Sequence, residues 1–375
     1  MARGSVRRDA SGRWFFVTDV PVAGGSRRQV RRRGFSTRRE AQQALDALRG
    51  QVAQGTYVRP ANLTVGEYLV GQWLPTIAAR VRPTTADTYR RLVVLHVVPM
   101  LGAVPLQKLD RATVSQWVGR LSSSGLSAKS VRNIHGILAK ALADALENEL
   151  VSRNVASKVK GLPRLDRPPP KAWTAEQLVR FLSATADDRL APLWRFLAVT
   201  GCRRGEALGL RWVDLDLAAG TATITNQRAI AGGSVVEGAP KTRAGARTVS
   251  LDTTTVAALR AWKRRQAEER LVMGAGWGDT GLVFTHADGN GLWPQTVTRR
   301  FRETSAALGL PLIGVHGLRH SAATWMIASG VNPRVVQQRL GHAHVSVTLG
   351  LYTHVMPAHD KAAADALGEA LDGRP

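Results

Sequence analysis

Residues 200–216 read TGCRRGEALGLRWVDLD. Gly201 ends one helix and the basic pair Arg203-Arg204 opens the next, because a glycine after a helical run is a C-cap signal. At that junction Arg203 can aim its guanidinium at a phosphate. Glu206 lies one turn further on and can orient it as a supporting partner. On this segment alone, a surface Arg–Glu pair is an equally good reading.

Four further segments follow in order. PKTRAGARTVSL at 240–251 joins two strands and carries Lys241 in or beside the turn. A loop lysine can protonate a leaving group, above all where nearby cations depress its pKa, although most turn lysines are simply solvated. HGLRH at 316–320 sets His316 and Arg319 three residues apart, on one face of a first helical turn. Histidine moves protons near neutral pH and arginine clamps phosphate oxygens. His320 points elsewhere and reads as structural, while Leu318, Ala322, Trp325 and Met326 form the expected buried face. Leu340-Gly341-His342 offers Gly341 as a C-cap, and ten residues after His342 stands Tyr352, one of four tyrosines in the chain. A phenol is a workable nucleophile once activated, since its ordinary pKa is near 10. A lone tyrosine reads as a packed aromatic; two arginines beside a phosphate change that reading. Cys202 reads as a small buried side chain.

The surrounding chain has 375 residues, 52 basic and 28 acidic, for a net charge of +24. At about 150 residues per domain this length suggests two or three domains. A hydrophobic fraction of 44% excludes wholesale disorder. No apolar run is long enough for a membrane helix, and the N-terminus lacks the apolar stretch of a secretory signal. With a single cysteine the chain can form no internal disulfide and has no cysteine cluster for zinc. The expected setting is a reducing cytoplasm. So large a positive charge points to a polyanion, most simply nucleic acid, whose condensed counterions Lys and Arg displace. Arg outnumbers Lys 43 to nine. That bias suits bidentate phosphate contacts, and it equally suits a GC-rich coding bias.

The charge is graded: net +9 over residues 1–60, +8 over 61–165 and +7 over 166–375. Residues 12–35 read as short strands around Gly12 and Gly24-Gly25, followed by a helix capped at Ser36-Thr37 that runs to about Gln54. Arg27, Arg28, Arg31, Arg32 and Arg33 lie on or beside these strands, and an Arg-bearing ribbon can enter a DNA groove. From Thr64 the pattern is helical. Four helices are expected, the second ending at Pro99 and Gly102, the third capped by Asp110 and the fourth by Ser127. Arg80, Arg82, Lys129 and Arg132 stand near helix starts, which favour phosphates; with Arg90 they are the DNA-contact candidates of this module. Pro163 and Pro168-Pro169-Pro170 mark a stiff linker. Beyond it, Thr174–Gln177 is a capping box. Helices to about Leu210 precede a strand over Thr221–Ile230, a second ending near Lys241 and a third at Thr248–Leu251. Helices are expected over 253–272, 294–308, 317–329, 332–340 and 345–353.

The five ordered segments, ending in LYTH at 351–354, resemble the tyrosine recombinase (phage integrase) family over residues 172 to about 356. Residues 64–164 resemble that family's helical core-binding domain more loosely, and 1–58 its arm-binding domain. The resemblance implies three domains: a small α+β arm-type DNA-binding domain (1–58), an all-α, SAM-like core-binding domain (62–164) and a mainly α catalytic domain with a small antiparallel sheet and a tail (172–375). Carried over by position, Arg203 and Arg319 would clamp the phosphate and Lys241 would protonate the leaving 5′ oxygen. His316 would assist proton transfer, His342 would donate to a nonbridging oxygen, Tyr352 would be the nucleophile and Glu206 the supporting acid. The implied chemistry is transesterification through a 3′-phosphotyrosyl link, with no metal, ATP or other cofactor. The implied partners are double-stranded DNA at core-type and arm-type sites, a homotetramer on synapsed DNA joined by the tail at 357–375, and a recombination directionality factor. No membrane is involved, and the place of action is the cytoplasm and nucleoid of a bacterial host. An integrase of a phage or mobile element is the first reading. Alternatives are a chromosome or plasmid multimer resolvase of the same family, a type IB topoisomerase, and a non-catalytic DNA-binding protein that keeps the fold.

Overall fold

The computed structural model describes residues 4–21, 27–166, 171–240 and 242–344. Two compact units divide the chain between Asp166 and Arg167.

The first unit opens with an antiparallel sheet, β1 (Gly4–Arg8), β2 (Trp14–Pro21) and β3 (Arg27–Phe35), in that order, followed by α1 (Arg38–Ala53). Strand β1 is an element the sequence pattern does not announce. One face of strand β2 is buried at Phe16, Thr18 and Val20, with Phe16 and Val20 packed on Leu45 and Leu48 of α1, and Phe15 is buried on the other face. A bulge at Gly34, φ 97°, lets Trp14 pair with Phe35 directly after Phe15 pairs with Arg33. It turns Phe35 to the α1 side, where its ring stacks on Phe16 at 5.9 Å. Helix α1 begins with a reciprocal capping box between Thr37 and Glu40.

The rest of the unit is helical: α2 (Val65–Glu67), α3 (Leu74–Ala78), α4 (Pro83–Leu92), α5 (Val98–Leu101), α6 (Arg111–Ser123) and α7 (Ala128–Glu147). Two π-helical turns, Tyr68–Trp73 and Val93–Val97, join α2 to α3 and α4 to α5. Each ends two residues before a proline, Pro75 or Pro99. Proline lacks an N–H and its ring collides with the carbonyl four residues back; a widened turn absorbs both problems. The second helical run therefore does not stop at Pro99 but continues to Leu101, a correction to the sequence reading. Val114, Trp117, Val118 and Leu121 of α6 meet Val131, Ile134, Leu138, Ala141 and Ala145 of α7 in one core. Asp110 and Ser127 cap these two helices.

The second unit contains α8 (Ala175–Ala184), α9 (Ala191–Thr200), α10 (Arg204–Leu208), β4 (Leu215–Asp216), β5 (Thr221–Ile224), β6 (Gln227–Ala231), β7 (Ser234–Gly238), β8 (Arg247–Ser250), α11 (Thr253–Met273), α12 (Pro294–Ala307), α13 (Val315–Ala328) and α14 (Pro333–Leu340). The expected single strand over 221–230 is two strands in different sheets: β5 lies between β4 and β8, while β6 pairs only with β7. Asn226, whose side chain caps its own following amide, marks the break. An aromatic cluster of Trp173, Phe181, Trp194 and Phe301 anchors α8, α9 and α12, with ring centroids 5.1–5.9 Å apart. In α13 the buried residues include Leu318, Arg319, Ala322, Ala323 and Ile327. Trp325, expected inside, is 41% exposed, because the packed stripe passes through 322/323 to 327 and leaves 325 on its flank. The prolines at 168–170 and the helix expected over 345–353 lie outside the described residues. Among the described residues no helix is long and apolar enough to cross a membrane.

Candidate active site

Helices α9, α10, α13 and α14 bring their ends together, and two glycines make this possible. Gly201 is left-handed, φ 62°, at the C-cap of α9; a Cβ there would lie 2.5 Å from Leu340 Cδ2. Gly341 is left-handed, φ 67°, at the C-cap of α14; a Cβ there would lie 2.5 Å from the Ala244 carbonyl oxygen. Both positions combine a backbone that favours glycine with an approach only glycine permits.

Arg203 is the N-cap of α10, extended at φ −67°, ψ 145°. Its backbone amide donates to Glu206 Oε2 at 3.0 Å and its Nη1 to Glu206 Oε1 at 2.6 Å. Glu206 is only 1% exposed. It keeps its charge despite burial, because Arg247 and Arg203 hold its pKa below the ordinary carboxylate range. The pair is thus an oriented guanidinium on a buried anchor, not a loose surface ion pair.

Arg319, on the second turn of α13, is 2% exposed. Its Nη1 donates to the Gly201 carbonyl at 2.9 Å, while Nη2 is buried with no partner among the described residues. Desolvation, then the positive charge of Arg203, lowers its pKa to about 10, so it stays charged at neutral pH. A buried cation with a spare donor is expensive to keep unless an anion completes it.

The ring of His316 meets that of His320 edge-on at 4.9 Å, so His320, read from sequence as pointing elsewhere, is a neighbour of the site. Desolvation, then the positive charges of His320, Arg319 and Arg203, push the pKa of His316 down to about 4. His342 follows Gly341, its amide donating to the Gln337 carbonyl at 3.1 Å. Desolvation and the charges of Arg319 and Arg203 lower its pKa to about 4 as well. Both imidazoles are neutral at pH 7. Their folded-state values lie below the ordinary 6.5, so the unfolded chain takes up protons first as pH falls. Stability should therefore drop between about pH 6.5 and 4. Urea midpoints for the wild type and a His316→Gln/His342→Gln variant should show a shallower drop from pH 7 to 5 in the variant; equal slopes would refute the linkage.

The residue that sequence reasoning passed over is Arg247, the first of β8. Its Nη2 donates to Glu206 Oε2 at 3.0 Å. Only its position at a loop–strand junction within 240–251 could have pointed to it. Cys202, as expected, is a buried small side chain; burial raises its thiol pKa. Lys241 and Tyr352 lie outside the described residues.

Among the DNA-contact candidates, the five β3 arginines are all exposed but do not share one face. Arg27, Arg31 and Arg33 alternate onto the face away from α1, where the Arg31 guanidinium sits 4.0 Å from the centre of the Phe15 ring. Arg28 and Arg32 are in register with Val20 and Phe16, on the α1 side. Arg82 is the N-cap of α4, Arg90 lies in its last turn, and Lys129 is exposed in the first turn of α7. Arg132 spends its Nε on the Pro163 carbonyl at 2.7 Å.

The chain is similar to known proteins along most of its length. The phage integrase family profile matches residues 171–359, an arm DNA-binding domain matches 5–52, and the N-terminal SAM-like domain of phage integrases matches 66–122. The ICEBs1 integrase of Bacillus subtilis (strain 168) is 27% identical over 338 residues, 90% of this chain and 91% of that protein. A XerC-like tyrosine recombinase of Caldanaerobacter subterraneus subsp. tengcongensis is 23% identical, covering 96% of this chain and 97% of its own length. The fold is also that of a Tn1549 transposon integrase solved with transposon right-end DNA, with a TM-score of 0.68 at 22% identity, covering 81% of this chain and 99% of that one. With its helical catalytic unit, small sheets, SAM-like helices and N-terminal sheet, the chain belongs to the phage integrase family of tyrosine recombinases.

Proposed function

We propose that the protein is the integrase of a phage or other mobile element, joining and separating DNA through a 3′-phosphotyrosyl intermediate. The observation that carries this reading is the pairing of Arg203, fixed on buried Glu206, with Arg319, whose buried Nη2 has no partner among the described residues. Two such guanidiniums suit the nonbridging oxygens of one phosphodiester. The Tyr352 oxygen attacks phosphorus and the P–O5′ bond breaks. The leaving 5′ oxygen takes a proton from Lys241, and neutral His316 can accept the phenol proton. In this reading His342, also neutral, donates a hydrogen bond to a nonbridging oxygen. The 5′-hydroxyl of a partner strand then reverses the step, so bond energy is kept and neither ATP nor a metal is needed.

Division into an arm-type binder (1–58), a core clamp (62–164) and a catalytic domain with its tail (172–375) belongs to the same proposal. So do a tetramer on synapsed DNA, a directionality factor and action in the bacterial cytoplasm. The arm-domain match at 5–52 favours integrase over resolvase, because an extra DNA-binding domain lets one protomer bridge two sites. Two plasmids, one with the joined ends of the element and one with the target site, test the reading. Strand-exchanged recombinants are expected. Supercoil relaxation without recombinants would indicate a topoisomerase, and activity confined to repeats on one multimer would indicate a resolvase.

A further inference from the structure

Arg247 is a buried cation with no part in the reaction as written above, yet its contacts reach the segments that carry that reaction. Its side chain is 6% exposed. Nη2 donates to Glu206 Oε2 at 3.0 Å and lies 3.5 Å from Cys202 Sγ. Nη1 donates to the Gly245 carbonyl at 2.9 Å, and Nε to the Arg339 carbonyl at 2.6 Å. Each acceptor belongs to a different segment. Glu206 anchors Arg203. Arg339 is three residues before His342, at the end of α14. Gly245 closes the turn that begins just after Lys241.

That turn is tightly defined on both sides of Lys241. The Gly245 amide donates to the Thr242 carbonyl at 2.9 Å. A Cβ on Gly245 would stand 2.6 Å from Pro240 Cβ, so the turn folds back onto the residue preceding Lys241. Across the turn lies Gly341, where a Cβ would meet Ala244 O at 2.5 Å and Arg247 Cδ at 3.1 Å. One planar guanidinium therefore sets the turn, the end of α14 and the Arg203 anchor in a single frame. An ammonium, with no fixed fork, cannot replace it.

We propose, on the reaction assigned above, that Arg247 is a positioning residue: it holds the Lys241 turn against the arginine clamp so that the lysine reaches the leaving 5′ oxygen. The effect should fall on leaving-group protonation and not on phosphate binding. A core-site duplex made in two forms tests this, one with the natural bridging 5′ oxygen and one with sulfur in its place. The sulfur leaves as a thiolate and needs no proton.

Arg247→Lys should bind both duplexes like the wild type. It should form the covalent adduct about tenfold or more slowly on the oxygen duplex, part of the roughly 10²–10⁴-fold that a general acid supplies, and at a near wild-type rate on the sulfur duplex. Lys241→Ala should give the same pattern. Equal slowing on both duplexes, or no slowing on either, would overturn the proposal. If Arg247→Lys does not fold, as judged by its circular dichroism, Gly245→Ala displaces the turn through Pro240 without touching Glu206 and should show the same selectivity. Wild-type protein that forms no Tyr352-linked adduct with either duplex would remove the reaction itself, and with it this role for Arg247. An active wild type whose Arg247→Lys variant is equally fast on the oxygen duplex would remove the role alone.

Discussion

Tyr352→Phe should abolish covalent capture of DNA while leaving DNA affinity within about twofold of wild type, because a net charge of +24 and the surface arginines, not one phenol, carry the electrostatic attraction. The substitution removes one oxygen, the atom that would form the new bond to phosphorus. Loss of a nucleophile is among the largest effects in enzymology, on the order of 10⁴-fold or more. The measurement is a denaturing gel of a nicked core-site duplex that loses its 5′ fragment on cleavage and so traps the adduct. Wild type should accumulate a shifted band whose tryptic phosphopeptide contains Tyr352. A band of undiminished intensity in the phenylalanine variant would place the nucleophile elsewhere, and the three remaining tyrosines, Tyr57, Tyr68 and Tyr89, would be the next to test. Tyr68 is a poor substitute: its hydroxyl is buried and donates to the Ala141 carbonyl at 2.8 Å.

Where local chemistry decides the structure, the sequence was legible. The boxes at Thr37–Glu40 and Thr174–Gln177 and the caps at Asp110 and Ser127 each use a side chain within three residues of the amide it satisfies. Arg203 with Glu206 follows the same logic, since three residues is one helical turn. Legibility ended where the deciding partner is distant. Strand β1, GSVRR, has no apolar alternation of its own and exists because β2 pairs with it. The π turns answer prolines several residues ahead, not the residues they contain. The frame around Arg247 draws on residues 202, 206, 245 and 339, separated by as many as 92 positions from it, and no local pattern encodes that meeting. His320 was misplaced because first-turn spacing favoured His316 with Arg319, whereas the next turn of α13 brings residue 320 back beneath 316.

Arg319→Met should separate activity from stability more sharply than any other change in the catalytic unit. The native guanidinium is 2% exposed; among the described residues it donates to the Gly201 carbonyl and leaves Nη2 without a partner. Burial above all, then the positive charges of Arg203 and Arg247, depress its pKa, which means that its surroundings disfavour the charged form. Methionine fills a similar length without charge. Replacing a buried ion by a packed apolar side chain is often neutral or stabilising by about 1–4 kcal/mol, and leaving the Gly201 carbonyl unpaired offsets about 1–3 kcal/mol of that. The unfolding midpoint should therefore stay level or rise. Cleavage should behave in the opposite way. The free donor is suited to the charge that builds on a nonbridging oxygen as phosphorus becomes five-coordinate, and loss of one such donor costs about 10²–10³ in rate. Arg319→Lys should not restore it, because an ammonium cannot span the Gly201 carbonyl and a phosphate together. Single-turnover cleavage and urea unfolding of the same preparations give the two numbers. A methionine variant that cleaves normally would show that Arg319 takes no part in the chemistry. One that unfolds several kcal/mol more easily would show that the buried charge serves the fold and that Nη2 is not held for a phosphate.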